Sequence, residues 1–212
     1  SSRFHHKDVW VHTCTVVRQA IPRPLIRWAA LLHDIAKPYT RTYEPPREVH
    51  FFHHDELGAA MFEGLAVRLR FPEALATRIR ALILHHLRAN LYVRSWSDSA
   101  VRRFGLEMGD LFEDLMHLSR ADVTSKRAGR RREAIANLYD LRVRLARLQV
   151  EDALRTAACV NIDETSWCGS GRKAWLWSVS TPNLAWFRIT PVRDMATAQT
   201  LLPPDFAGVV VS

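Results

Sequence analysis

From His6 to about Leu154 the apolar residues recur every three to four positions, and beyond Thr156 they recur every second position. The first pattern predicts helices. Pro22 and Pro24 precede an apolar run from Leu25 to Lys37, and Pro38 closes it. The segment Tyr39–Phe52, with Pro45 and Pro46, reads as a loop. A helix over about His53–Leu69 follows, then one opened by Pro72, a good first-turn residue, and running to about Leu87. Ser97 or Asp98 is placed to cap a short helix through Val101 to Leu106. Further helices are expected over roughly Asp110–Lys126 and Arg131–Leu154, with no internal repeat.

The second pattern predicts strands. Val160 and Ile162 alternate with Asn161 and Asp163; Trp175, Trp177 and Val179 with Ala174, Leu176 and Ser178; Ala185, Phe187 and Ile189 with Leu184, Trp186 and Arg188. Gly169-Ser170-Gly171 would turn the first strand into the second, Asp194–Leu202 reads as a short helix and Phe206–Val211 as a final strand. The change of period sets a boundary at 150–157, giving a helical domain over 4–150 and an α/β piece over 157–212. The long helix ending there would act as a connector.

Certain polar residues fall on the apolar faces. His86 extends the stripe Leu75, Ile79, Leu82, Ile83, while His85 points about 100° away. Asp122 continues the stripe Leu111, Leu115, Leu118. Val9 and Val16 flank His12, and His54 leads the face Leu57, Met61, Leu65. His33-Asp34 follows the run Trp28-Ala29-Ala30-Leu31-Leu32. A carboxylate on a buried face is costly unless it is paired or binds a metal. One such His is more simply a core histidine bonded to a carbonyl, and Asp122 alone could pair with Arg120. Several of them on separate helices point instead to a mixed imidazole and carboxylate site for manganese, iron, nickel, zinc or magnesium. Because helix neighbours diverge, His33 and Asp34 require a distorted or packed point if both are to reach one ion.

Composition narrows the class of protein. A hydrophobic content of 48% supports a sizeable core. No apolar run is long enough to cross a bilayer. The N-terminus has no signal-peptide core and no starting Met, so a fragment or processed chain is expected. Cys14, Cys159 and Cys168 are far apart with no CxxC pair, which argues for reduced thiols in a cytoplasmic protein and against a zinc ribbon or a disulfide scaffold. The formal charge of +8 points to an anionic partner. Arg127, Arg130, Arg131 and Arg132, followed by Arg142, Arg144 and Arg147, would touch a polyanion or form a solvated face.

The order His12, His33-Asp34, Asp122 resembles the H…HD…D signature of HD-superfamily metal-dependent phosphohydrolases. The strings His6-Lys7-Asp8-Val9 with His12-Thr13, Ala30-Leu31-Leu32-His33-Asp34-Ile35-Ala36-Lys37-Pro38, Trp96-Ser97-Asp98-Ser99-Ala100-Val101-Arg102-Arg103-Phe104 and Leu118-Ser119-Arg120-Ala121-Asp122-Val123-Thr124-Ser125 resemble the HD domain of bacterial CCA-adding tRNA nucleotidyltransferases over about His6 to Leu148. The resemblance implies a helical bundle with His12, His33, Asp34 and Asp122 as ligands of a divalent metal such as magnesium, manganese or nickel, joined by His54 and His86. It implies 2′-nucleotidase, phosphatase or 2′,3′-cyclic phosphodiesterase activity on a phosphorylated nucleotide or RNA end. Asp34 would then be catalytic. Lys37 would add positive charge beside the phosphate, or act only as a cation at a helix C-terminus. The nucleotide-adding chemistry of such enzymes belongs to a preceding domain with a paired Asp-x-Asp, which this sequence lacks, so nucleotide addition is not expected of it.

Val160-Asn161-Ile162-Asp163-Glu164-Thr165-Ser166-Trp167, Lys173-Ala174-Trp175-Leu176-Trp177, Phe187-Arg188-Ile189 and the ending Asp205–Ser212 resemble a DDE-type insertion-sequence transposase, whose core is RNase-H-like. The resemblance makes Asp163 the first metal-binding carboxylate of a truncated, vestigial site; its second Asp would lie just past Ser212. The fold class expected is thus mostly α, an HD-type bundle followed by a small partial RNase-H-like α/β segment. Three functions compete: a metal-dependent phosphohydrolase, a tRNA- or RNA-binding module with a vestigial site in which Arg130, Arg131 and Arg132 supply affinity, and an inactive fusion. Neither a membrane nor DNA is an expected partner.

Overall fold

The computed structural model describes residues 8–44, 48–169 and 172–211. Pro45, Pro46, the His6-Lys7 pair, the Ser170-Gly171 turn and Ser212 lie outside the described residues. Contacts divide the chain into two compact units at Arg142 and Val143. This division falls within the long helix α7 (Ala128–Arg155), upstream of the change in hydrophobic period.

The first unit is helical. Its helix α1 (Val9–Gln19) starts where the Asp8 side chain accepts from the Trp10 and Val11 amides. Pro24 opens α2 (Pro24–Leu32), where a missing N–H costs nothing. α3 (His54–Arg68) and α4 (Glu73–His85) pack against α2 around Leu32, Phe62, Ile79 and Ile83. Pro72 sits at the N-cap of α4 rather than inside its first turn. Ser97 accepts from the Ala100 amide to cap α5 (Asp98–Met108), and α6 (Phe112–Asp122) follows.

Two expectations on this unit need correction. The segment Tyr39–Phe52 is not wholly loop: β1 (Arg41–Glu44) and β2 (Glu48–Phe51) form an antiparallel hairpin pairing Arg41 with Phe51 and Tyr43 with Val49. β-prone Thr42, Tyr43, Val49 and Phe51 flank the two prolines, and reading the prolines alone hid them. On α3 the inward face is His54, Gly58, Phe62 and Ala66, not Leu57 and Met61, and Leu57 is exposed. The apolar volume of Leu57 and Met61 misled. A small residue, Gly58, is what lets α3 approach the neighbouring elements, since a Cβ there would lie 3.3 Å from Ile83 Cγ2 and 3.6 Å from Ile35 Cγ2.

The second unit is a small α/β layer. β3 (Cys159–Gly169), β4 (Arg172–Thr181), β5 (Leu184–Thr190) and β6 (Val209–Val211) stand in the order β5-β4-β3-β6. β3 pairs with β4 and β4 with β5 antiparallel, while β6 lies parallel to β3, and α8 (Met195–Gln199) precedes it, capped by Asp194. Val160, Ile162, Trp177, Val179, Leu154 and Leu201 form its core. On β5 the faces are the reverse of the apolar grouping. Leu184 and Trp186 pack inward, whereas Phe187 and Ile189 are exposed.

Candidate metal centre

Helix ends deliver most of the polar residues. Regular helical bonding in α2 ends at His33, whose amide bonds the Ala29 carbonyl at 2.8 Å. Tighter bonds then take over, from Ile35 N to Leu32 O at 3.1 Å and from Lys37 N to Asp34 O at 3.0 Å. This distortion lets adjacent side chains converge, and His33 Nε2 lies 3.3 Å from Asp34 Oδ2. His53 enters α3 with a left-handed backbone (φ 58°), an uncommon conformation for a residue with a Cβ, and the next residue, His54, opens the helix. His86 caps the C-terminus of α4, and Asp122 is the last residue of α6. Only His12 comes from the interior of a helix, α1.

Three of the imidazoles are oriented alike. His33 Nδ1 faces the Ala30 carbonyl at 2.9 Å, His54 Nδ1 that of Phe51 at 2.6 Å, and His86 Nδ1 that of Ile83 at 2.7 Å. Each Nδ1–H donates to a carbonyl three residues back, so Nε2 is the nitrogen turned inward. His12 differs, with Nδ1 on the Thr124 hydroxyl at 3.0 Å. Thr124 carried no role in the sequence reading, although it stands two positions after Asp122.

The inward atoms form two groups that could hold a metal ion: His12, His33 and Asp122, and Asp34, His54 and His86. In the first, His12 Nε2 is 3.0 Å from Asp122 Oδ1 and 3.3 Å from His33 Nε2. In the second, His54 Nε2 is 3.2 Å from His86 Nε2, and Asp34 Oδ1 is 3.5 Å from the former and 3.7 Å from the latter. Asp34 links them: its Oδ2 faces His12 at 3.4 Å and His33 at 3.3 Å, and takes a 2.7 Å bond from Lys37 Nζ. Ligands about 2.0–2.2 Å from a common ion stand roughly 3.0–3.6 Å from one another, and all these separations between candidate ligands but the 3.7 Å between Asp34 Oδ1 and His86 fall in that range.

The electrostatics agree. His33, Asp34, His54 and His86 are buried. Burial pushes the His33 pKa down, but hydrogen bonds to Asp122 and Asp34 and the charge of both outweigh it and raise it to about 9. Burial would raise the Asp34 carboxyl; bonds to His33 and His54 and the charges of His33 and Lys37 hold it far below the carboxylate range instead. Asp122 is lowered likewise, burial being overcome by His12 and His33. Burial and the charge of His33 depress His86 to about 4, so its Nε2 is a bare lone pair. Asp34 Oδ1 is buried without a hydrogen-bond partner. The His33 proton and Lys37 are the donors among these acceptors; a cation would take the place of that proton and also neutralise the unpartnered Asp34 Oδ1.

A family model for the HD domain matches residues 13–127, more than half of the chain. The chain belongs to the HD domain family. His12 lies one residue before the matched span of this HD domain. Curated relatives similar to the HD region are the A-adding tRNA nucleotidyltransferase of Deinococcus radiodurans, 35% identical over 125 residues, and the CC-adding tRNA nucleotidyltransferase of Thermus thermophilus, 36% identical over 136 residues. These alignments cover 56% and 61% of this chain but only 28% and 30% of the relatives' own length. The Multifunctional CCA protein of Pseudomonas paraeruginosa is 32% identical over 91 residues, 41% of this chain and 22% of its own. A model for the Transposase IS66 family matches residues 116–212.

The other candidate residues are dispersed. Lys37 sits at the HD centre on Asp34. Arg130 lines the cleft above the centre, Arg132 lines a different cavity with Glu113 and His117, and Arg131 lines neither. Asp163 is exposed on β3, its Oδ1 accepting only from the Glu164 amide at 2.9 Å, and no metal-type group among the described residues includes it. No helix among the described residues is long and apolar enough to cross a membrane.

Proposed function

We propose that the HD domain is a divalent-metal-dependent phosphohydrolase acting on phosphate esters of nucleotides or RNA ends, as a 2′-nucleotide phosphatase or 2′,3′-cyclic phosphodiesterase. The observation that carries this reading is the convergence of two acceptor-rich groups on the shared carboxylate of Asp34. His12, His33 and Asp122 would hold one cation and Asp34, His54 and His86 a second, with Asp34 spanning both through its two oxygens. When bound, divalent cations polarise a phosphoryl oxygen and lower the pKa of coordinated water.

The chain's own groups do the rest. Carbonyls of Ala30, Phe51 and Ile83 fix the tautomers, so that each Nε2 is held as a ligand without reorganisation. Lys37 balances Asp34 and keeps a positive charge at the cleft, where a phosphate oxygen would lie. The kinship with tRNA nucleotidyltransferases supports an RNA end as the substrate, tRNA among the possibilities.

The test is release of phosphate from 2′-nucleotides, and ring opening of 2′,3′-cyclic nucleotides, with magnesium, manganese and nickel in turn. Turnover that vanishes on chelation and returns with metal is expected. Absence of turnover with every metal would overturn the reading and favour the RNA-binding module.

A further inference from the structure

Two walls enclose the cleft above the HD centre, whose volume is about 870 Å³. One carries His12, Asp34, Lys37, Asp122 and an arginine, Arg41, whose guanidinium is already engaged, donating to the Tyr43 hydroxyl at 2.8 Å. The other is a single face of α7: Arg130, Glu133, Ala134, Asn137 and Leu138 recur with helical spacing and all line the cleft. A volume of this order holds a nucleotide-sized molecule with room beyond a bare phosphate. The arginine cluster is therefore divided by the helical period, since Arg132, two positions on, serves another cavity.

Of the clustered Arg130, Arg131 and Arg132, all without an ion-pair partner among the described residues, only Arg130 lines this cleft. It is exposed. Arg142 on the same helix is bonded to Glu113 at 2.9 Å, and Arg78 to Asp114 at 2.5 Å. Once cations occupy the centre, their charge and that of Lys37 exceed that of Asp34 and Asp122. A guanidinium across the same cleft then faces a positive floor, which disfavours the arrangement unless an anion lies between them. Glu133, one turn further on, offers a carboxylate, and Asn137 an amide. The Glu133 carboxylate suits hydroxyl and amino groups and disfavours a phosphate beside it, while the Asn137 amide can donate or accept, which leaves the Arg130 guanidinium as the charged donor on this wall.

We infer that Arg130 is a specificity residue. The cleft takes phosphate esters whose organic part carries a second phosphate, the reacting phosphate lying at the metal centre and the second on the Arg130 guanidinium. This rests on the phosphohydrolase reading for which phosphate reacts, but the binding preference is measurable without turnover.

Calorimetry on the full chain loaded with manganese would compare non-hydrolysable phosphonate analogues of a nucleoside 2′-phosphate and of a nucleoside 2′,5′-bisphosphate. The bisphosphate analogue should bind the parent about tenfold more tightly or better, the size expected of one charge-assisted contact. Arg130→Ala should abolish that preference while leaving the monophosphate analogue within about twofold, Arg130→Lys should keep part of it, and Arg132→Ala should leave it intact. A parent without preference, or an Arg130→Ala protein that retains it, overturns the inference. Equal loss in Arg130→Ala and Arg132→Ala would mark a diffuse field rather than a site, and overturns it too. A parent that discriminates yet hydrolyses nothing overturns the phosphohydrolase reading and leaves Arg130 standing; metal-dependent turnover together with a bisphosphate preference that survives Arg130→Ala does the reverse.

Discussion

At Asp34 one carboxylate has to serve two sets of imidazoles and one ammonium at once. Replacing it with the isosteric Asn keeps the volume but removes the charge that both groups share. Asp34→Asn is therefore expected to lose turnover to background and to weaken metal binding by more than the about 10–100-fold typical of an outer partner, with far-ultraviolet dichroism unchanged. A variant as active as the parent would point to a contaminating phosphatase. His33 sets the pH response. Its pKa, raised to about 9, means that without metal a proton occupies the position a cation would take. Below that pH a cation bound by the His12, His33, Asp122 group must displace this proton, so affinity there should fall about tenfold per pH unit from His33 alone, and faster as other imidazoles protonate. Titrations in buffers of different ionisation heat would reveal proton release, and an affinity constant between pH 6 and 9 would exclude the site. The same shift has a sign for the metal-free protein. The protonated His33 stabilises it fully below about pH 6.5, and that contribution is lost as pH rises through about 9. The sequence exposed Asp34 and Asp122 as carboxylates on apolar runs, but not Thr124, because a hydroxyl after a helix end has no distinctive pattern.

Between elements, the centre depends on spacing. His54 heads α3 and His86 ends α4, and Gly58 lies on the α3 face that meets Ile83. Gly58→Val would force these helices apart, with a stability loss of about 1–3 kcal/mol as for other overpacked cores. Thermal unfolding should show the loss, and metal titration should show the Asp34, His54, His86 group weakened more than the other. Thr124 lies beyond the end of α6 and holds His12 of α1. Thr124→Val is expected to lower affinity at the His12, His33, Asp122 group by about 10–100-fold, with Thr124→Ser restoring it. An unchanged affinity would mean that packing alone orients His12. The helices were legible because their apolar stripes are long. The β1–β2 hairpin and the inward face of β5 were not, since short strands carry little periodic signal and Phe187 and Ile189 are apolar yet exposed.

For the whole chain, the two units raise the question of independence. The HD unit owns all six candidate ligands and the cleft wall from Arg130 to Leu138. The α/β unit has its own core and ends in β6, whose three residues are exposed. Truncation after residue 150 keeps the cleft wall and removes the strands. The shortened protein is expected to retain its helical signal, its metal and its hydrolysis. Loss of all three would mean that the strands complete the helical fold. With magnesium or manganese, DNA cleavage by the parent should be undetectable, because no group of three metal-type ligands among the described residues includes Asp163; metal-dependent nicking abolished by Asp163→Asn would contradict this.

What the sequence by itself determined were the local and periodic features. It held the helical register, the switch to alternation near Thr156, and the presence of His and Asp on faces that burial makes costly. It also held the kinship of each half, since runs such as Leu32-His33-Asp34-Ile35 and Val160-Asn161-Ile162-Asp163 are contiguous. Only the tertiary structure decided how six ligand candidates divide into two groups, that Asp34 spans them, and that Arg130 rather than Arg131 or Arg132 faces the cleft. The physical reason is that these depend on distances between residues far apart in the chain. His12 and Asp122 meet at 3.0 Å only because α1 and α6 pack against each other, and no local pattern encodes that approach.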